Sequence, residues 1–314
     1  MTLQPDTKAF VEIVELARAE GPPVSEQTPE FVRDRYLAMA HVLGKGPELP
    51  NEISDIEIPS PNGPISARVY RPSQEELLPA LVFYHGGGFV IGDLETHDKE
   101  CRLLCANAGC IVIAVDYRLA PESPFPAAVE DAWAALEWVA GEGEQLGVDT
   151  ARLAVGGDSA GGNLAAVVAL MARDASIDLK LQMLVYPATD ASKHHDSFTE
   201  NVDGPLLTVE VIEWFWSHYL GSASDSEVRN DWRFSPAKAD DHSGLAPAYI
   251  ATCSADPLRD EGNAYALQLS EAGVPVQHSL FEGQPHTLFQ MFHVSEGAKD
   301  LIGECAMALK TALG

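Results

Sequence analysis

The chain has 314 residues, 46% of them apolar, enough for one large α/β domain or two smaller units. Its 20 lysines and arginines stand against 47 acidic residues, and the resulting net charge of −27 argues against nucleic acid or an anionic membrane as partner. The five cysteines, Cys101, Cys105, Cys110, Cys253 and Cys305, contain no C-x-x-C pair, so zinc and redox motifs are not expected.

The N-terminus, Met1 to Lys8, has no basic start followed by a long apolar run, and no segment approaches the ~18 residues of a membrane span. Together with five thiols read as buried, this predicts a cytoplasmic protein. A first helix is expected over 6–19, with Phe10, Val11, Ile13, Val14 and Ala17 on one face and Gly21-Pro22-Pro23 as its stop. A second begins at Thr28-Pro29, an N-cap followed by proline, and runs to about Gly44. Both precede any strand, so residues 1–45 are expected to lie over the core as a cap.

Strand patterns follow. Segments 53–58 and 65–71 alternate around Pro61-Asn-Gly-Pro64, which predicts an antiparallel hairpin. Continuous apolar runs at 80–84, 110–115, 153–155, 181–185, 248–252 and 276–281 suit strands buried on both faces. Helical stretches at 97–108, 127–140, 160–173, 259–272 and 287–312 separate most of them. Alternation of this kind predicts an α/β fold with a mostly parallel sheet covered on both sides. Between the strands at 181 and 248 the rhythm breaks. An aromatic helix at 209–219 marks an insertion over 191–240, placed where it can complete the cap. The core is then divided into 46–190 and 241–314.

Gly157-Asp158-Ser159-Ala160-Gly161 joins an apolar strand to an Ala-rich helix. That is G-x-S-x-G in the strand–turn–helix setting that lifts a serine hydroxyl to the top of a sheet. An incidental serine in a Gly-rich turn is the competing reading, and the flanking pattern disfavours it. A serine is a weak nucleophile until a base takes its proton and a carboxylate orients that base. In this setting the order is Ser, Asp or Glu, then His. His286 follows the last strand in a loop, where the base belongs. His278 falls within that strand and His293 within the expected final helix, so both read as structural. His194 and His195 lie in the insertion with nothing to position them as a base. Asp256, beyond the strand at 248–252 and ahead of Pro257, is preferred as the acid over Asp260, which falls in a helix's first turn. His85-Gly86-Gly87-Gly88 follows the third strand, and consecutive glycines let backbone N–H groups face an oxyanion. Gly87, Gly88 and Ala160 are the expected donors, with His85 bracing the loop. A phosphate cradle is the alternative, but no G-K-[ST] is present.

The combination of His85-Gly-Gly-Gly88, Asp116-Tyr-Arg-Leu-Ala-Pro-Glu122, Phe125-Pro-Ala-Ala, Gly157-Asp-Ser-Ala-Gly-Gly-Asn-Leu-Ala165, Asp256-Pro-Leu-Arg-Asp-Glu261 and His286 resembles the hormone-sensitive-lipase-like, bacterial family IV esterases of the α/β-hydrolase fold. The resemblance covers about 80–290. It implies an eight-stranded, mostly parallel sheet, a helical cap, no cofactor or metal, and hydrolysis of short- to medium-chain acyl esters. It also admits a homodimer through the last strand or final helix. The segment 117–122 is expected to organise the neighbourhood of the glycine loop. The chain departs from the family's usual His-Gly-Phe at His286-Thr287-Leu288-Phe289, and Phe89 stands where a tryptophan-type residue is common. Phe89, Asp158, Trp214, Phe215, Thr287 and Leu288 are the pocket candidates, with Trp216 beside them in the aromatic cluster.

A carboxylesterase acting through Ser159, His286 and Asp256 is the primary reading. An amidase or formamidase with the same triad is the nearest alternative. A non-catalytic small-molecule receptor on this scaffold is a third, disfavoured because such proteins typically lose the histidine that stands here as His286.

Overall fold

The hairpin and the continuous apolar runs become a single sheet. In a computed structural model describing residues 2–19, 21–48, 52–221 and 225–314, its strands are β1 (Ile53–Ile58), β2 (Ile65–Tyr70), β3 (Leu78–Tyr84), β4 (Ile111–Asp116), β5 (Val148–Asp158), β6 (Leu179–Val185), β7 (Ala248–Ala255) and β8 (Val276–Pro285). Their order across the sheet is β1-β2-β4-β3-β5-β6-β7-β8. β2 pairs antiparallel with both β1 and β4, and every pairing from β4 to β8 is parallel. The α/β-hydrolase architecture read from the sequence is therefore present.

The helices are α1 (Pro5–Ala19), α2 (Pro29–Val42), α3 (Asp98–Ala108), α4 (Ala127–Glu142), α5 (Ala160–Asp174), α6 (Asp196–Glu200), α7 (Val209–Leu220), α8 (Asp225–Arg229), α9 (Arg259–Glu271) and α10 (Glu296–Leu313). Successive side chains of a strand point to opposite faces, and β3 shows the consequence. Val82 and Tyr84 join one core with Leu136, Leu164 and Leu269 of α4, α5 and α9. Leu81 and Phe83 join the other with Leu104, Leu301 and Ile302 of α3 and α10.

Strand order also fixes where the chemistry can sit. The chain leaves β3 for β4 on one side, then crosses back to β5 on the other. The carboxyl ends of β3 and β5 thus flank a switch point, where loops diverge and leave a crevice. Tyr84 pairs with Gly157 at that end, so the loop after 84 and the turn after 157 become neighbours.

Two expected boundaries are corrected. β5 begins at Val148 rather than 153, because Val148 pairs with Leu78 ahead of a register shift. The last helix begins at Glu296 rather than 287. Thr287 takes φ +68°, Leu288–Met291 form a single 3-10 turn, and Ser295 is extended, so the helix cannot start sooner. His293 accordingly lies in the connecting segment, its Nε2 2.8 Å from Lys45 O.

α1, α2 and α7 lie over the carboxyl end of the sheet and line one cavity with its loops. Arg33 of α2 ties this helix to the segments after β3 and β4. Its guanidinium binds both Glu122 oxygens at 2.7 Å and donates to Val90 O at 2.8 Å and Ala120 O at 2.9 Å. α1 is tied to the segment between α6 and α7, Arg18 donating to Leu206 O at 2.8 Å while Glu15 accepts from Leu206 N at 3.2 Å. Among the described residues no helix is long and apolar enough to cross a membrane.

Candidate active site

Ser159 sits between β5 and α5 with φ +55° and ψ −117°, a conformation costly for any residue with a Cβ. The fold holds it there. Ser159 N donates to Val185 O at 2.8 Å, and Ser159 O accepts from Asn163 N at 3.0 Å. The flanking glycines are required by close approach to β3: a Cβ would stand 2.3 Å from Tyr84 O at position 157 and 1.9 Å from it at position 161.

His286 Nε2 lies 2.9 Å from Ser159 Oγ, and its Nδ1 lies 2.7 Å from Asp256 Oδ2. Asp256 is fully buried and His286 nearly so. The second carboxylate oxygen of Asp256 accepts Leu258 N at 2.8 Å, which fixes the acid's orientation. With Nδ1–H donated to the carboxylate, Nε2 is left to accept the serine proton. The Tyr186 ring packs on the imidazole with centroids 4.5 Å apart. Asp260, the rival acid, instead accepts Ser197 N at 2.8 Å and binds Arg259. His278 reaches Thr252 Oγ1 at 2.9 Å, and His194 stacks on Phe198. His195 faces Asp190 at 3.8 Å. None of the three lines the cavity that contains Ser159.

The glycine loop stands beside this chain of groups. Gly86 N donates to Asp158 Oδ1 at 2.9 Å, whereas Gly87 and Gly88 N–H have no acceptor among the described residues. Both have positive φ, +124° and +59°. A Cβ at 87 would lie 2.1 Å from Ile91 O, so only glycine fits. Ala160 opens α5, where N–H groups are free of intrahelical partners. His85 braces the loop as expected. Its Nδ1 is 2.8 Å from Gly86 O, its carbonyl accepts Tyr117 OH at 2.7 Å, and its ring stacks on Tyr117 at 4.3 Å. Burial, aided by nearby His97, pushes the His85 imidazole down to about 4, so it is neutral near pH 7.

The cavity above Ser159 and His286 measures about 560 Å³, and its lining includes Phe10 and Val14 of α1, Tyr36 and Met39 of α2, and Phe215 of α7. Of the pocket candidates, Phe89, Asp158, Phe215 and Thr287 line it, as does Trp216. Trp214 and Leu288 do not. At about 100° per residue, Val211, Phe215 and Trp216 share the cavity-facing side of α7. Trp214 turns instead onto His218, centroids 4.3 Å apart. Leu288 is fully buried in the core beside α10. Asp158 lines the cavity with its carboxylate engaged by Gly86 N and His97. Phe89 presents little of its ring, which stacks on Tyr219 at 4.0 Å. His97, Tyr186 and Arg33 were not singled out from sequence, since each matters only through partners distant in the chain.

Residues 81–290 match a family described as alpha/beta hydrolase fold. The chain is 46% identical over 275 residues to the carboxylic ester hydrolase LipN of Mycobacterium tuberculosis, covering 85% of this chain and 72% of that one. It is 39% identical to an ethyl acetate hydrolase of Pseudomonas putida, covering 96% of both. Among solved structures, a hyperthermophilic esterase from the archaeon Pyrobaculum calidifontis superposes with a TM-score of 0.92 at 39% identity, over 99% of each chain. An ester hydrolase from the metagenome of Lake Arreo, complexed with a derivative of bipyridine phosphonate, does so with a TM-score of 0.93 at 39% identity, over 98% of each. With the fold, the motif order and these relatives in agreement, the chain belongs to the hormone-sensitive-lipase-like esterases of the α/β-hydrolase fold.

Proposed function

We propose that this serine carboxylesterase hydrolyses short- to medium-chain acyl esters, with Ser159 as nucleophile, His286 as base and then acid, and Asp256 as the orienting carboxylate. The observation that carries the assignment is the unbroken chain from Ser159 Oγ to His286 Nε2, 2.9 Å, and from His286 Nδ1 to Asp256, 2.7 Å. As Oγ attacks the ester carbonyl, Nε2 takes its proton and the buried carboxylate offsets the imidazolium charge. The carbonyl oxygen becomes an oxyanion facing Gly87, Gly88 and Ala160 N–H, whose fixed dipoles need no reorganisation. The imidazolium then protonates the departing alkoxide. A water, deprotonated by the same base, releases the acid and restores Ser159.

The apolar cavity lining supports an acyl substrate of modest length. In this proposal a cap from 1–45 and 191–240 covers a core from 46–190 and 241–314. Five free and buried thiols support a cytoplasmic setting. The exposed Leu280 on edge strand β8 and Met307 on α10 support a homodimer through that edge.

A panel of nitrophenyl esters from two to twelve acyl carbons, run beside the matching anilides, tests the proposal. A maximum in kcat/KM among the shorter esters and little turnover of anilides is expected. Preferential anilide cleavage would assign the site to amide hydrolysis instead.

A further inference from the structure

The glycine loop is aimed by two pinned peptide planes. In the plane joining residues 85 and 86, the carbonyl accepts Tyr117 OH at 2.7 Å and the N–H donates to Asp158 Oδ1 at 2.9 Å. In the next plane, Gly86 O is held by His85 Nδ1 at 2.8 Å. A trans peptide points its N–H opposite to its C=O, so this contact turns Gly87 N–H away from His85. Asp158 is therefore a support of the loop as well as the neighbour of Ser159. Its side chain is only 4% exposed, and a carboxylate so buried needs a charge or hydrogen-bond partner.

His97 supplies it. The ring is 1% exposed, at the start of α3, with Nε2 3.2 Å from Asp158 Oδ1 and Nδ1 3.0 Å from Thr96 Oγ1. The Gln290 side-chain nitrogen stands 3.2 Å from Nε2; with Nε2–H given to Asp158, the amide must turn its oxygen to that position. Burial alone would lower the imidazole, but the Asp158 charge raises it above its ordinary value. Burial likewise opposes ionisation of Asp158, and His97 with Gly86 N–H brings it below the usual carboxylate range. Among the described residues the other nearby basic groups are less suited. His85 is neutral, and Lys99 Nζ is committed to Gln290 O at 2.6 Å and Glu100 at 3.2 Å.

We propose that His97 is a positioning residue for ester hydrolysis: paired with Asp158, it holds the Gly86 amide and so keeps the Gly87 and Gly88 N–H groups aimed at the oxyanion. This rests on the esterase reading of the same site. Without His97 the buried carboxylate must take up a proton or turn away, and the loop loses an anchor without any residue leaving the pocket.

His97→Phe keeps a ring of similar shape against Tyr36, Phe83 and His85 while removing donor and charge. It should lower kcat by about 10- to 100-fold, less than the ~100- to 1,000-fold typical of deleting an oxyanion donor outright, with KM within about twofold. His97→Gln, which keeps an N–H donor, should recover part of the loss. Amide hydrogen exchange over 85–90 should quicken in His97→Phe. In an Asp158→Asn background, where no charge needs pairing, the cost of His97→Phe should largely vanish. The proposal is overturned by kcat within about twofold of the parent, by unchanged exchange over 85–90, or by an equal cost in both backgrounds. Should His97→Phe not fold, His97→Gln alone and with Asp158→Asn carries the same comparison. Absence of ester turnover in the parent would count against the esterase reading, while exchange over 85–90 would still decide the role of His97.

Discussion

The ring of Phe215 stands where a side chain on Gly88 would have to be: a Cβ there would lie 2.1 Å from Phe215 Cγ. One contact thus joins the Gly88 amide, proposed as an oxyanion donor, to the cavity wall supplied by α7. Gly88→Ala should reduce kcat/KM by about 100-fold or more, since φ +59° and the Phe215 ring both oppose the new methyl group. Phe215→Ala should shift preference toward longer or bulkier acyl groups and should soften the effect of Gly88→Ala. Equal losses from Gly88→Ala with and without Phe215 would show that the contact does not matter.

Thr287 occupies a left-handed conformation, φ +68°, that is uncommon for a β-branched residue. Glycine, the family's usual residue beside the base, adopts it freely. Thr287→Gly should therefore raise stability by about 1 kcal/mol, after allowing for the extra freedom of glycine in the unfolded chain. Because Thr287 lines the cavity, the same change should widen substrate tolerance. Urea unfolding checks the first outcome and the acyl-ester panel the second. A fall in stability would mean that contacts of the threonine outweigh its backbone strain.

Glu261 is a buried carboxyl that accepts Thr189 N at 2.6 Å, linking α9 to the segment that follows β6. Burial pushes it up to about 8, so the native state holds its proton more tightly than the unfolded chain does. Its stabilising contribution is complete below the ordinary glutamate range and is lost as pH rises through about 8. Glu261→Gln stays neutral throughout. Relative to that variant, the parent should lose stability between pH 5 and pH 9, as read from urea midpoints; parallel profiles would contradict this.

Arg33 holds α2 onto Glu122 and two backbone carbonyls of the core. Arg33→Met should loosen the cap more than the sheet. Hydrogen exchange over 29–42 should quicken, and KM should rise about threefold or more, while exchange in β3 and β5 stays slow. The Arg33 hydrogen bond brings Glu122 down to about 2, so the link persists above the ordinary glutamate range and fails as pH falls toward that value. Unchanged exchange over 29–42 in Arg33→Met would place the cap's anchorage elsewhere.

Much of the site was legible because its parts are local. Gly157 to Gly161 is a turn whose residue types follow from close approach, and Asp256 and His286 each sit just beyond an apolar strand. What escaped depends on strand order and helix phase. Trp214, Phe215 and Trp216 are equally aromatic, but only the rotation of α7 sends the latter two toward the cavity. The start of α10 escaped because an amphipathic pattern runs through Thr287, whose left-handed backbone no composition reveals. His97 was not recognised because its partner, Asp158, is 61 residues away. The two meet only where the loop after β3 lies beside the turn after β5.

We propose that Ser159, activated by His286 and Asp256, forms the acyl-enzyme. Intact-mass analysis after treatment with an organophosphonate, followed by peptide mapping, tests it most directly. One adduct is expected, on Ser159, appearing in step with loss of esterase activity and absent from a Ser159→Ala variant that no longer hydrolyses esters. An adduct on another residue, or ester hydrolysis surviving in Ser159→Ala, would contradict it.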